Sequence, residues 1–277
     1  MPYTVDVSAH SDTGRVRTLN EDSFLAADPM FFVADGMGGH AFGDRASQAA
    51  VAELAAHVPP GSEASPDDVL AAVRAANSAV RALSGVDDTG PAVAGTTLTG
   101  VARVTTGGAE FWMVVNIGDS RVYSWDGRKL AQLTVDHSAV QELVDAGEIT
   151  ADEALAHPER NVITRALGAD EDADVDVWLL PVRSVRSFLI CSDGLTKELP
   201  EERIGAILAG DATGEHHEGH PPRHTAELLV EAAVEAGGHD NVTAIVVEWQ
   251  PEGAEGADET RERDELPGML EETWPRG

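Results

Sequence analysis

The order of patterns along this chain predicts an α+β fold, a four-layer αββα sandwich in which two antiparallel β-sheets pack face to face between helix pairs. Three observations carry the prediction. Strand-like apolar runs arrive in consecutive groups instead of alternating strictly with helices, which disfavours a parallel α/β sheet. Helical patterns come in two pairs, one early and one late. Two packed sheets with those helix pairs outside would bury every apolar face that the sequence offers.

The elements follow in order. YTVDVSAHSDTG alternates and then enters a Ser, Asp and Gly cluster, as a first strand does at a turn. SFLAAD and MFFVADG supply the next two strands. Ala46, Ala49, Ala50, Leu54 and Ala55 recur at helical spacing, so a helix starts soon after Gly43. A second helix begins with Ser65 as N-cap, Pro66 in the first helical position and Asp67 and Asp68 in the first turn. Its Val69, Val73, Ala76, Val80 and Leu83 form one apolar face. From Gly95 the runs GTTLTGVARV, EFWMVVNIG and SRVYSWDG are rich in β-branched and aromatic residues and read as an antiparallel meander. SAVQELVDAGEITADEALAHPERN is polar and punctuated by Gly147 and Pro158, the pattern of a surface flap. SFLICSDG is another buried strand, PEERIGAILAG and RHTAELLVEAAVEAG are helices, and VTAIVVEW is the last strand. Residues 1–250 form one domain on this reading, and 251–277 are an acidic tail poor in apolar residues.

Composition narrows the function. The 277 residues carry a formal net charge of −30, which opposes nucleic acid or an anionic membrane and favours cations as partners. No stretch has the roughly 18–20 uninterrupted apolar residues of a membrane span. One cysteine, Cys191, excludes an internal disulfide, and with no leader pattern the expected compartment is cytoplasmic. Cys191 lies inside an apolar strand and reads as a small core residue. The HHEGH cluster with His216, His217 and His220 sits in a Gly/Pro-rich stretch and reads as an ordinary loop.

Asp35, Asp193 and Asp240 share one arrangement, a carboxylate where an apolar strand meets a Gly-rich or polar turn. One such Asp-Gly pair is a common turn. Three that converge would make a cage of hard oxygen ligands, suited to Mg²⁺ or Mn²⁺, because clustered carboxylates need protons or cations to coexist. Glycine at position 36 lets the backbone approach and leaves the Gly36 carbonyl available as a further ligand.

The neighbours of these carboxylates add a resemblance. SDTGRVRTLNEDS (11–23), VADGMGGH (33–40), GTT (95–97), NIGDSRVY (116–123), TVDHS (134–138), CSDGL (191–195) and GGHDNVT (237–243) together resemble the metal-dependent serine/threonine protein phosphatases, the protein phosphatase 2C-like family in its bacterial form. The resemblance covers roughly residues 3–249. It implies the αββα sandwich and a phosphoric monoester hydrolase in which hydroxide held between two divalent ions, Mn²⁺ or Mg²⁺, attacks phosphoserine or phosphothreonine in proteins that serine/threonine kinases have modified. Asp35 matches the bridging ligand, Gly36 gives a carbonyl, and Asp193 and Asp240 complete the set. Glu21 and Asp22 match an acidic pair that orients the inner sphere, and Asp119 with Asp193 matches a third, weaker metal position. Arg17 falls at the place of the phosphate-binding arginine. Animal members carry a histidine, their proposed general acid, where this chain has Met37, so the proton donor is left among His157, His137 and His40. The alternative is a non-catalytic regulator of the same fold that binds phosphoproteins; a phosphatase dedicated to one regulatory protein is a third reading.

Overall fold

Strand β3 (Met30–Met37) sets the layering. Successive side chains of a strand point to opposite faces, and here both faces are buried: Met30, Phe32 and Ala34 join one apolar cluster, Phe31 and Val33 another. A computed structural model of the chain describes residues 3–37, 42–87, 90–182, 187–212 and 224–251.

One sheet has the order β11 (Asp176–Pro181), β8 (Ala109–Ile117), β7 (Leu98–Thr106), β3, β2 (Asp22–Ala27), with the short β6 (Gly95–Thr96) against the end of β3. The other has the order β1 (Tyr3–Asp12), β13 (Val242–Pro251), β12 (Ser187–Cys191), β9 (Arg121–Trp125), β10 (Leu130–Gln132). The pairings within both are antiparallel. A small hairpin, β4 (Gly85–Asp87) with β5 (Gly90–Ala92), stands apart. Helices α1 (Gly43–His57) and α2 (Pro66–Leu83) cover the first sheet, and α5 (Asp193–Glu198), α6 (Glu201–Ala212) and α7 (Thr225–Ala236) cover the second. The expected α+β architecture of two sheets between helices is therefore present.

Three apolar clusters fill the three gaps between four layers. Leu54, Val73 and Val80 meet Leu98, Met113 and Ile117 under α1 and α2. Between the sheets, Trp112 packs edge-on against Phe188 with ring centroids 5.3 Å apart, an arrangement worth ~0.5–1.5 kcal/mol beyond burial. Tyr123, Leu189, Leu195 and Leu229 fill the third gap, and Cys191 is buried among them. Burial pushes its thiol pKa up to about 12, which suits a core residue and not a nucleophile.

Helix α2 starts as its sequence dictates. Ser65 Oγ accepts from the Asp68 N–H, and the Asp68 carboxylate accepts from the Ser65 N–H. Farther along, the buried Asn77 donates to the Asp170 and Glu171 carbonyls and accepts from the Gly168 N–H at 2.8 Å. These bonds tie the approach to β11 onto the helix. Helices α3 (Ala139–Asp145) and α4 (Ala151–Leu155) have no buried residue, and Leu155 is largely exposed, as expected of a surface flap.

The structure differs from the sequence reading in five places, one of them α5, a helix over Asp193–Glu198 where the sequence reading has the end of a strand. GTTLTGVARV is split at Thr97, because Thr97 serves the Asp35 backbone instead of a strand partner. Strand β10 has three residues, too short to show a period, and β11 emerges from the acidic stretch ADEDADVDV. The β4–β5 hairpin was likewise not foreseen. The tail from 252 onward, the cluster of His216, His217 and His220, and His40 lie outside the described residues. Among the described residues no helix is long and apolar enough to cross a membrane.

Replacing Asn77 with Ala should lower stability by about 2–4 kcal/mol, from three hydrogen bonds at ~1 kcal/mol each and a stranded Gly168 N–H. Ser65→Ala should cost only about 1 kcal/mol. Urea denaturation compares them, and an Asn77 loss no larger than that at Ser65 would show that the 168–171 segment does not depend on α2.

Candidate metal centre

The strand ends of both sheets deliver carboxylates to one place. Asp35, near the end of β3, lies directly opposite Asp22 at the start of β2. Asp193 opens α5 just after β12, Asp240 precedes β13, and Asp119 sits in the turn from β8 to β9. Asp35 is partly buried, and its desolvation first, then Asp22, Asp193, Asp119 and Asp240 nearby, raise its pKa well above the carboxylate range.

Neighbours of specific chemistry hold the Asp35 backbone and the Asp22 carboxylate. The Asp35 N–H donates to Thr97 Oγ1, and its carbonyl accepts from the Thr97 N–H and Thr96 Oγ1, all at 2.9 Å. Asp22 Oδ2 accepts from Ser192 Oγ at 2.8 Å and Thr243 Oγ1 at 2.7 Å. Its pKa is pushed up to about 7, by burial first, with those hydroxyls opposing and Asp193 and Asp240 adding to the rise. Asp119 is pushed to about 7 by burial and by Asp193, against the attraction of Lys197. Asp193 is also raised by burial, although Lys197 beside it opposes the shift.

Close backbone approach explains two motif glycines. A Cβ on Gly36 would stand 2.1 Å from the Gly43 carbonyl oxygen and 2.6 Å from that of Glu21. One on Gly194 would stand 2.0 Å from the Asn241 carbonyl oxygen. Both contacts lie far inside van der Waals range, so only glycine fits beside Asp35 and Asp193.

Arg17 rides on the loop between β1 and β2. Asn241 staples that loop, its Nδ2 donating to the Thr13 and Leu19 carbonyls and its Oδ1 accepting from the Glu21 N–H. Arg17 Nη2 bonds Asp240 Oδ2 at 2.9 Å, with the guanidinium still half exposed. Glu21 stands near it, with its pKa raised by burial against the pull of Arg17. On the other flank, Lys197 Nζ bonds Asp193 Oδ2 and lies 3.9 Å from Asp240 Oδ2.

The histidines are placed differently. His137 is buried, with Nδ1 accepting from the Gly118 N–H and Nε2 against Asp176 at 3.1 Å and Arg165 at 3.3 Å. Both ring nitrogens are thus engaged in holding the turn before α3. His157 lies in the flap, partly exposed, with Nδ1 accepting from the Glu159 N–H. Among the described residues neither bonds a carboxylate of the cluster.

Donor chemistry fits divalent metal. The cluster is all oxygen, and the buried oxygens Asp22 Oδ1 and Asp119 Oδ1 have no hydrogen-bond partner among the described residues. The outer oxygens are turned to Arg17 and Lys197, and among the described residues no three His, Cys, Asp or Glu side chains already close a metal cage.

Sequence reasoning named the charged residues and missed what holds them. Ser192 and Asn241 each stand next to an acidic residue in their motifs, Thr243 stands three positions after Asp240, and Thr96 and Thr97 lie in GTT with no acidic neighbour in sequence. Lys197 was not named by the sequence reading, because its i,i+4 relation to Asp193 exists only once 193–198 is helical.

The chain is similar to known proteins along most of its length. The chain matches the protein phosphatase 2C family over residues 12–219. It is 39% identical over 248 residues to the serine/threonine protein phosphatase PstP of Mycobacterium tuberculosis, covering 87% of this chain and 44% of the relative, so it spans under half that protein's length. It is 36% identical to the serine/threonine phosphatase stp of Listeria monocytogenes, over 86% of this chain and 93% of the relative. Among solved structures, the catalytic domain of PstP in complex with two manganese ions superposes with a TM-score of 0.69 at 35% identity, covering 90% of this chain and 99% of that one. With the family pattern spanning most of the sequence and the sandwich placing its acidic motifs together, the chain belongs to the protein phosphatase 2C family.

Proposed function

We propose that the chain is a metal-dependent protein phosphatase that hydrolyses phosphoserine and phosphothreonine in targets of serine/threonine kinases. The observation that carries the reading is the buried all-oxygen cluster with orphaned Asp22 and Asp119 oxygens and Arg17 at its rim. The manganese of the PstP structure supports a dinuclear site holding Mn²⁺ or Mg²⁺. Asp35, the Gly36 carbonyl, Asp193 and Asp240 would hold the two ions, and Asp119 with Asp193 a third. When bound, such a pair supplies Lewis acidity and lowers the pKa of water enough to give a nucleophile near neutral pH.

The chain's own groups do the rest. Asp22, anchored by Ser192 and Thr243, and Glu21, anchored through its backbone by Asn241, fix acceptors for the protons of ordered water. Arg17 has N–H donors left beyond its bond to Asp240, and a guanidinium fork matches phosphoryl oxygens, so it orients the ester for in-line attack. Cys191 is buried, and the proposed chemistry needs no covalent intermediate. A seryl or threonyl leaving group needs a proton. His137 has both nitrogens committed to the fold, which leaves His157, whose Nε2 makes no hydrogen bond among the described residues, as the proposed donor. Nothing in the cluster favours the non-catalytic alternative, since Asp35, Asp193 and Asp240 are all present.

Turnover of a phosphothreonine peptide should vanish in EDTA and return with Mn²⁺, and Asp193→Asn should cut kcat at least about 100-fold. Peptide binding with no turnover at any metal concentration would favour the binding-module reading. Arg17→Ala should raise KM by roughly tenfold or more, the scale of a lost charge-assisted hydrogen bond, without changing bound Mn²⁺. An unchanged KM would remove Arg17 from phosphate binding. His157→Ala should slow phosphothreonine hydrolysis by about 100-fold but p-nitrophenyl phosphate hydrolysis far less, because p-nitrophenolate leaves without a proton. Equal losses on both substrates would rule His157 out as the acid.

A further inference from the structure

We propose that Lys197 is a built-in cation of the metal centre: its ammonium neutralises the Asp119–Asp193 side of the carboxylate cluster and limits the chain to two tightly held divalent ions. The inference rests on the dinuclear reading above and concerns what this chain adds to it.

Helix α5 begins at Asp193, so a residue four positions later projects from the same face, and that residue is Lys197. An exposed i,i+4 pair on a helix contributes little to stability. This pair differs in its surroundings. The Asp193 side chain is 13% exposed, Lys197 Nζ bonds its Oδ2, and Asp240 Oδ2 is 3.9 Å away. Lys197 is also the one side-chain cation among the leading influences on Asp119, whose Oδ1 is buried with no partner among the described residues. One ammonium thus contacts carboxylates from the start of α5 and the loop before β13, and its charge also acts on Asp119 in the β8–β9 turn.

Charge counting gives the consequence. Asp22, Asp35, Asp119, Asp193, Asp240 and Glu21 are the mutually interacting carboxylates, and Arg17, bonded to Asp240 and close to Glu21, offsets one of them. Fully ionised, the six carboxylates and Arg17 leave a net five negative charges. Two divalent ions and the Lys197 ammonium balance them. A third divalent ion beside Asp119 and Asp193 would leave the cluster net positive and would have to displace the ammonium from Asp193 Oδ2. Because the Lys197 stem is 39% exposed, the ammonium can swing aside, so a third ion is admitted weakly and not excluded.

Equilibrium dialysis against Mn²⁺, with bound metal counted per chain, tests this on the full chain and on Lys197→Met and Lys197→Arg. Wild type and Lys197→Arg should bind two ions tightly. Lys197→Met should bind a third about tenfold or more tighter than wild type does, the scale of one charge contact at a partly exposed site. The metal-free Lys197→Met protein should also melt at a lower temperature than wild type, since the carboxylates lose a counter-charge. Lys197→Met with wild-type stoichiometry and affinities would overturn the role of Lys197 while leaving the two-metal reading intact. A wild type that binds no Mn²⁺ would overturn that reading itself, and this inference with it.

Discussion

Asp22 reaches from the edge strand of one sheet to the hydroxyls of Ser192 and Thr243 on the other, and this buried contact fixes where the two sheets meet. Ser192 and Thr243 are themselves tied through backbone and hydroxyl bonds across β12 and β13, so the acceptor meets a rigid pair of donors. Only one Asp22 oxygen is satisfied in this way. A buried polar atom without a partner costs about 1–3 kcal/mol, and Asp22 Oδ1 and Asp119 Oδ1 are both in that position. The three apolar clusters supply the stability that lets the fold carry these groups unsatisfied. Strain of this kind persists where the surrounding structure over-determines it, which is the condition of a preorganised site.

The layering makes that arrangement reproducible. Strand β3 is buried on both faces until Ala34, so its register is locked by Met30, Phe32 and Ala34 on one side and Phe31 and Val33 on the other. A slip by one residue would exchange those faces and carry Asp35 away from Asp22. Beyond Asp35 the strand pairs with β6, and Gly36 allows the Gly43 and Glu21 backbones to close in. The tightest packing in this region therefore lies directly beside its greatest concentration of charge.

Much of the fold was legible because burial leaves a periodic trace. The faces of α2 and the continuous apolar runs of β3, β8, β12 and β13 are dictated by which layers they touch. What was illegible had no such trace. Strand β10 is too short, β11 is half-buried at a sheet edge, and Thr97 leaves the strand pattern because its side chain works for Asp35. In the candidate site, the carboxylates could be read from strand-end placement and motif spacing. The hydroxyls that hold them could not, since Ser192 and Thr243 are ordinary strand-end residues until the second sheet is packed against the first. His137 and Asp136 show the converse. They stand in a motif that looks chemical, yet Asp136 accepts a bidentate contact from Arg121, and His137 ties Gly118 to Asp176. Those residues fasten the β9 region and the turn before α3, a structural task that spacing alone does not distinguish from catalysis.

Asn241 joins the two halves of the proposed chemistry. Its backbone follows Asp240, a proposed metal ligand, and its side chain holds Thr13, Leu19 and Glu21, the loop on which Arg17 is carried. Its carbonyl also lies where only a glycine at 194 can pass, which brings the start of α5, and with it Asp193 and Lys197, against the same residue. The carboxylates proposed to face metal and the guanidinium proposed to face phosphate are thus positioned from one point. A displacement of Asn241 by even a fraction of an ångström would move both together, so the distance between ligand set and arginine is held more closely than either is held to solvent. The proposed in-line displacement depends on that distance, which gives a physical reason for a residue whose amide bonds the loop through both its nitrogen and its oxygen.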